Sequence, residues 1–212
     1  MGGFMKIGNV NVTWCGHDTF LIEGEKVIYT DPFVLPSDPK KADLILITHD
    51  HYDHCVPEKV KQIQKSGTVI VTTPDCARKL SGDIRTIRPG QNITIGDISI
   101  KAVPAYNTGK QFHPKTSGWV GFVFKVSGTT FYIAGDTDFI PEMKGLKPDV
   151  AMLPIGGKFT MDIEQAVQAA LAIEPKIAIP MHYNTFGGIE ADPNEFKEKL
   201  NAKNPGIRVE IL

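Results

Sequence analysis

The stretch THDHYDHC, residues 48–55, contains three of the six histidines in this 212-residue chain, together with two aspartates. His49 and His51 stand two positions apart, so both imidazoles can reach one ion when the residue between them points away. Asp53 and His54 follow at once and offer an oxygen and a nitrogen ligand for a second ion nearby. Imidazole nitrogen and carboxylate oxygen are ligands that zinc and similar ions take. The segment therefore predicts a metal site rather than a histidine-rich surface turn.

Apolar runs rich in β-branched residues predict the strands that would position this segment. The runs cover residues 12–23, 26–30, 43–48, 68–72, 98–103, 120–126, 129–134, 149–154 and 176–180. Helices are predicted over 162–173, where apolar residues recur at helical spacing behind a capping aspartate, and from Asp192 through the segment ADPNEFKEKLN. A third helix is predicted over 57–66, ending at Gly67.

The residues with metal-binding chemistry fall where these predicted strands end. Asp31, His49 and Asp136 each follow a strand closely, and His182 comes shortly after the run KIAIP. Sites in open sheets flanked by helices assemble outside the carboxyl ends of the strands. We therefore expect these separated residues to converge, with a carboxylate such as Asp136 bridging two ions.

Composition limits the partners. A formal net charge of −1 and a pI near 6.6 give no overall basic field, so a nucleic-acid partner is not expected. No apolar run approaches the roughly 18 residues of a membrane span, so we expect a cytoplasmic protein without a membrane partner. Residues 1–212 are expected to form one domain, since no repeat or linker divides them. A homo-oligomer is compatible with this composition.

The cysteines and serines exclude two other kinds of chemistry. Cys15, Cys55 and Cys76 are odd in number and lack CxxC spacing, which favours reduced thiols. Cys55 is expected in the core, because adjacent residues of an extended chain point in opposite directions and His54 faces the ions. No serine lies in a Gly-x-Ser-x-Gly elbow, which disfavours serine-hydrolase chemistry.

Beyond these residue-level arguments, the sequence resembles a known family. HDHYDH resembles the His-x-His-x-Asp-His signature of the metallo-β-lactamase superfamily, and GDTD and IPMHYNTF are similar to its later aspartate and histidine motifs. WCGHDTFLIE, YTDPF and PIGGKFTM further resemble small stand-alone metal-dependent hydrolases, near the ascorbate-phosphate lactonases and the UPF0173 proteins. The resemblance implies an α+β fold: a four-layer αββα sandwich of two similar halves, with the metal site at one edge.

The resemblance also implies a ligand set. It places His49 and His51 on a first metal ion, Asp53, His54 and His182 on a second, and Asp136 between them. One position departs from the family pattern, because Asn107 stands where the superfamily usually supplies a histidine. His113, six residues later, is the obvious substitute, and the alternative is an ordinary loop histidine.

Four further residues have two readings each. By the family pattern Asp31 accepts a ring N–H from a ligating histidine, and the alternative is an Asp-Pro turn residue. His17 is read as a structural histidine in apolar surroundings, with metal ligation as the alternative. Lys158, in a glycine-rich loop, either meets an anionic substrate or is a solvated lysine. Asn107 itself stays a candidate through its amide oxygen.

These expectations combine into a hydrolase that uses water activated by two divalent metal ions. Zinc is the expected metal, with manganese or iron as alternatives. Asp53 is expected to orient the water and shuttle its proton. The expected substrate is a small-molecule ester, lactone or phosphodiester, with a phosphorylated lactone first among them. The alternative function is a non-catalytic metal-binding protein or sensor with the same fold.

Overall fold

A computed structural model describes residues 3–212 of the chain, which form fourteen strands, four α-helices and two short 3-10 helices. The strands are β1 (Phe4–Ile7), β2 (Val10–Gly16), β3 (Thr19–Glu23), β4 (Val27–Thr30), β5 (Leu44–Ile47), β6 (Val69–Thr72), β7 (Asp83–Thr86), β8 (Asn92–Ile95), β9 (Ile98–Pro104), β10 (Val120–Val126), β11 (Thr129–Ile133), β12 (Val150–Pro154), β13 (Ile177–Met181) and β14 (Arg208–Val209). The α-helices are α1 (Pro57–Ile63), α2 (Pro74–Ala77), α3 (Ile163–Ile173) and α4 (Pro193–Lys203), and the 3-10 helices span Lys115–Ser117 and Pro141–Met143.

The strands form two seven-stranded sheets with related topologies. The first sheet has the order β1-β2-β3-β4-β5-β6-β7, and the second has the order β14-β13-β12-β11-β10-β9-β8. In each sheet the first four strands along the chain pair antiparallel, and the pairing is parallel from the fourth strand onward. The expected architecture of two similar halves is therefore confirmed.

The core is layered as an αββα sandwich requires. The main hydrophobic cluster joins side chains of both sheets, such as Ile28 and Phe122, to Val167 of α3 and Phe196 of α4. A second cluster lies on the other face of the first sheet, where Ile45 packs with residues of α1 and α2. Strands covered on both faces read as continuous apolar runs, which is why LILI in β5 and VAMLP in β12 are buried at every position.

The helix termini follow the predicted capping chemistry. The Asp162 side chain accepts a hydrogen bond from the backbone N–H of Gln165 at 2.8 Å, which fixes the start of α3. Asp192 caps α4 in the same way through the N–H of Asn194, and Pro193 occupies the first turn. No helix of residues 3–212 is long and apolar enough to span a bilayer.

Several predicted bounds were wrong. The run 12–23 is two strands, because Gly16 (φ +125°) and His17 (φ +55°) reverse the chain between β2 and β3. The helix expected over 57–66 ends at Ile63. Strands β1, β7, β8 and β14 and helix α2 were not predicted. Strands β7 and β8 read DIRT and NITI and are largely exposed, so their sequences lack the apolar runs that marked the other strands.

Candidate metal centre

The residues predicted to bind metal converge at one edge of the two sheets. His49 follows β5 and Asp136 follows β11, and the His182 backbone N–H, just after β13, donates to the carbonyl of His17 between β2 and β3. That bond links the two halves of the molecule across the site. His49, Asp136 and His182 are at least 96% buried, as the carboxyl ends of packed parallel strands require.

The donor atoms form two adjacent groups. His49, His51, His113 and Asp136 present ligand atoms that all lie within 4.8 Å of one another, and so do His17, Asp53, His54 and His182. The Asp136 carboxylate connects the groups: its Oδ2 lies 3.1 Å from His113 Nε2 and 3.2 Å from His182 Nε2, and its Oδ1 lies 3.5 Å from His54 Nε2.

Several of these donor atoms are buried without a hydrogen-bond partner of acceptable geometry. They are the Nε2 atoms of His54, His113 and His182 and the Oδ1 atom of Asp136. Leaving polar atoms buried and unpaired is costly, so native proteins pair nearly all of them. Convergent lone pairs of imidazole and carboxylate are the donor set of divalent transition ions. The residues present therefore fit two adjacent metal ions with a shared carboxylate.

His113 and Asn107 have different environments. His113 is buried and points Nε2 toward Asp136, whereas the Asn107 Oδ1 atom accepts from the backbone N–H of His113 at 2.9 Å and lies 3.1 Å from its Nδ1. The Asn107 amide nitrogen donates to Asp138 and to the Phe159 carbonyl. The structure thus brings His113 into the first donor group and uses Asn107 to orient it.

Asp31 connects ligands of both donor groups. Its Oδ2 atom lies 2.9 Å from His54 Nδ1 and accepts from the Thr48 hydroxyl at 2.7 Å, and its Oδ1 accepts from the Thr48 backbone N–H at 2.8 Å. The same hydroxyl lies 2.9 Å from His49 Nδ1. When His49 donates to Thr48 and His54 donates to Asp31, both rings keep Nε2 free for a metal ion.

His17 was interpreted from the sequence as a structural histidine, but in the structure it lies beside the metal-site residues Asp53, His54 and His182. It is fully buried, its Nε2 donates to Asp53 Oδ2 at 3.2 Å, and its ring centroid is 4.0 Å from that of His182. Burial lowers the pKa of His17 to about 4, so the ring is neutral near pH 7. The bond orients Asp53, and it helps to hold the pKa of that carboxyl below its usual value against the effect of burial.

Asp18 is a site residue that sequence reasoning missed. Both of its carboxylate oxygens are buried without a hydrogen-bond partner, and one lies 4.0 Å from His54 Nδ1. It also groups with Asp136 and His182. Burial raises the pKa of Asp18 to about 8. The signal available in the sequence was only its place next to His17, since its burial follows from the tertiary structure.

The backbone around the site is strained in ways that the fold enforces. His17, Asp31 and His182 adopt φ values of +55°, +34° and +54°, a region that side-chain-bearing residues rarely occupy. Gly156 lies so close to the His182 loop that an added Cβ would meet the His182 carbonyl at 2.4 Å. Such strain clusters at functional sites, where the surrounding structure holds it in place.

The histidines of the site fall into two classes according to the direction in which their pKa values are shifted. Burial lowers the pKa of His49 well below the ordinary value of 6.5, and burial also lowers that of His51. Burial also opposes the charged form of His54 and His182, but the neighbouring carboxylates together outweigh it and raise the pKa of both: Asp136 and Asp18 for each ring, with Asp31 in addition for His54. Without metal, His49 and His51 are therefore neutral near pH 7, whereas His54 and His182 hold protons more readily than an ordinary imidazole.

Two candidates lie outside the donor groups. Lys158 is exposed, with Nζ 5.1 Å from the centroid of the Phe159 ring. Cys55 is buried in the second hydrophobic cluster, as expected, and its sulfur groups with Cys76 and Asp50 rather than with the histidines.

Comparison with known proteins agrees with this geometry. A family model described as a beta-lactamase superfamily domain matches residues 11–182. The chain belongs to the metallo-β-lactamase superfamily. One relative is a UPF0173 metal-dependent hydrolase of Archaeoglobus fulgidus. It is 36% identical to this chain, and the alignment covers 96% of each of the two chains. A second UPF0173 metal-dependent hydrolase, from Thermococcus kodakarensis, is 37% identical over 95% of this chain and 100% of its own.

Solved structures show the same fold. A candidate metal-dependent hydrolase from Parabacteroides distasonis has a TM-score of 0.86 and 34% identity, covering 100% of this chain and 97% of its own. A metallo hydrolase from Ignicoccus hospitalis has a TM-score of 0.80 and 31% identity, covering 96% and 94% of the two chains. The resemblance drawn from the sequence motifs is thus confirmed, as is the α+β metallo-β-lactamase sandwich.

Proposed function

We propose that this protein is a metal-dependent hydrolase in which two divalent ions activate water against a small-molecule ester, lactone or phosphodiester. The observation that carries the proposal is the pair of donor groups joined by Asp136, whose carboxylate lies within 3.5 Å of ring nitrogens from both groups. The relatives named above, 36% and 37% identical to this chain, are metal-dependent hydrolases, which supports the same class here.

We assign each ligand to an ion according to the donor group in which it lies. His49, His51 and His113 would hold the first, Asp53, His54 and His182 the second, and Asp136 would bridge the two. His17 stands beside the second set through its bond to Asp53. Five histidine nitrogens and two carboxylates suit zinc, with manganese and iron as the alternatives.

When bound, two adjacent divalent ions lower the pKa of a shared water and polarise the bond under attack. Asp53 lies at the cleft with 7% of its surface exposed, and His17 holds its Oδ2. The carboxylate accepts a proton as the water oxygen adds to the substrate's carbonyl carbon or phosphorus. The ester bond then breaks, and Asp53 returns the proton to the departing oxygen.

The test combines metal content with turnover. Protein purified without chelator is analysed for metals, stripped, and assayed with zinc or manganese added back on a panel of chromogenic esters, lactones and phosphodiesters. We expect close to two ions per chain and hydrolysis that disappears on stripping and returns with metal. Full metal occupancy with no turnover on any substrate would favour a metal-binding or sensor protein, and occupancy of one ion or none would contradict the dinuclear site.

A further inference from the structure

Aromatic side chains form the walls of the cleft above the donor groups. The cleft measures about 340 Å³, a size that suits a small molecule. Its floor consists of metal-site residues: His51, Asp53, His113, Asp136 and His182. Its walls are Tyr52, Phe112, Phe159, Phe186 and Gly187. The floor residues carry out the hydrolysis proposed above, whereas that proposal gives the wall residues no role.

The four aromatic rings come from four different segments. Tyr52 belongs to the metal-binding stretch after β5, Phe112 to the β9–β10 connection, Phe159 to the β12–α3 connection and Phe186 to the β13–α4 connection. Four segments that are distant in sequence thus each place an aromatic side chain at the same opening. A Phe112–Phe159 edge-to-face contact, with centroids 4.7 Å apart, holds one side of that opening.

Two of these rings are unusually exposed. Tyr52 is 74% and Phe112 is 45% exposed, and in the part of the chain that the structure describes, Phe4 is the only other large exposed hydrophobic residue. Single exposed apolar residues are ordinary, but apolar side chains gathered at a cleft mark a binding surface. Apolar rings exposed at the mouth of a polar site would be covered by an apolar part of a bound molecule.

Apart from the two ions proposed for its floor, the opening has few positively charged side chains around it. None of the ten residues that line the cleft is a lysine or an arginine. Lys110, on the loop that carries Phe112, is already occupied, because its Nζ contacts Asp138 Oδ1 and the Thr160 carbonyl at 2.6 Å each. Lys158 is a single solvated lysine beside Phe159. Recognition of a phosphomonoester dianion away from the ions ordinarily uses several charged side-chain donors together, and such side chains are not gathered around this cleft.

We propose that the cleft selects neutral carboxylic esters or lactones that carry an aryl group, with Phe112, Phe159 and Phe186 enclosing that ring while the ester lies over the donor groups. This inference rests on the proposed hydrolytic function and narrows it. It favours an uncharged aromatic lactone over the phosphorylated lactone that was first among the expectations from the sequence.

The test uses three lactones on the metal-loaded protein: γ-butyrolactone, γ-phenyl-γ-butyrolactone, and the same ring carrying a phosphonooxymethyl group at that carbon. Burying one phenyl ring in an apolar cleft predicts a kcat/KM about 10–100-fold higher for the phenyl lactone than for the parent ring. The phosphate-bearing lactone should show no gain over the parent. A preference for the phosphate, or no preference for phenyl, overturns the proposal.

Variants locate the effect. Phe159→Ala and Phe112→Ala should reduce the ratio of kcat/KM between the phenyl and parent lactones, because each removes one wall of the cleft. Phe4→Ala is the matched control, since Phe4 is an exposed phenylalanine of β1 that does not line the cleft, and it should leave the ratio unchanged. An unchanged ratio in both cleft variants would contradict the assignment of the walls.

A binding measurement separates this inference from the hydrolytic proposal. If no lactone is turned over, the hydrolytic proposal fails on these substrates, and calorimetry with phenylacetate and acetate on the metal-loaded protein still tests the walls. Phenylacetate should bind about 10-fold or more tightly than acetate, and Phe159→Ala should diminish the difference. Equal affinities for the two carboxylates would overturn the aryl site.

Discussion

Replacing Asp31 with asparagine tests whether one carboxylate orients ligands of both metal ions. Asp31 Oδ1 accepts from the Thr48 backbone N–H, and Oδ2 faces both the Thr48 hydroxyl and His54 Nδ1. Asparagine can keep the first bond through its oxygen, and its nitrogen can donate to the Thr48 hydroxyl. It cannot accept from His54 at the same time, so the ring N–H of His54 loses its acceptor.

The size of the effect follows from that lost bond. Removing the hydrogen-bond partner of a metal-ligating histidine typically weakens metal binding about 10–100-fold, or about 1.4–2.7 kcal/mol. We expect that loss of affinity for the ion held by His54. The loss should be smaller for the ion held by His49, because Asp31 contacts His49 only indirectly, through the Thr48 hydroxyl. The metal-free protein should lose about 1.5–3 kcal/mol of unfolding free energy, since the lost bond involves a charged group.

The assay is competition for zinc against a fluorescent chelator, with urea unfolding of the stripped protein beside it. Asp43→Asn is the matched control, because Asp43 accepts from the Val27 backbone N–H at 2.8 Å and contacts Lys65 without touching a metal-site residue. If Asp31→Asn bound both ions as tightly as the parent and lost no more stability than Asp43→Asn, Asp31 would be a turn residue and the orienting role would be wrong.

Three further predictions concern the site. With metal supplied in excess so that both sites are filled, Asp53→Asn should lower turnover about 10²–10⁴-fold, and parent-like turnover would show that Asp53 is not the proton shuttle. His113→Ala should release one ion preferentially, with loss of activity. If His113→Ala instead kept both ions while Asn107→Ala lost one, the ligand would be the Asn107 amide. Because carboxylates raise the pKa of His54 and His182, the second ion must displace their protons. Affinity for this ion, measured by chelator competition, should therefore fall as the pH is lowered from about 8 to about 6, by up to about tenfold per pH unit for each proton displaced. Affinity for the first ion should change less over the same range.

Local sequence was enough to identify most of the strands, the two long helices and the metal-site motif. The strands with continuous apolar runs, such as β5 and β12, were predicted because burial on both faces requires apolar residues throughout. The spacing of His49, His51, Asp53 and His54 predicted two ions because few side chains supply such ligands. Asp136 and His182 were identified because each comes shortly after a predicted strand, at the end where sites assemble.

Tertiary structure decided the features that depend on distant contacts. The role of His17 required the bond to Asp53, 36 positions away in sequence, and burial of Asp18 required both halves of the molecule to close around the turn between β2 and β3. The choice between His113 and Asn107 depended on which side chain the loop directs toward Asp136. Two bonds between these residues set that direction: the His113 N–H donates to Asn107 Oδ1, and the Asn107 N–H donates to the His113 carbonyl. The aromatic cleft is also invisible in sequence, because Tyr52, Phe112, Phe159 and Phe186 lie in four separate segments, and only the packing of the two sheets brings those segments to one edge.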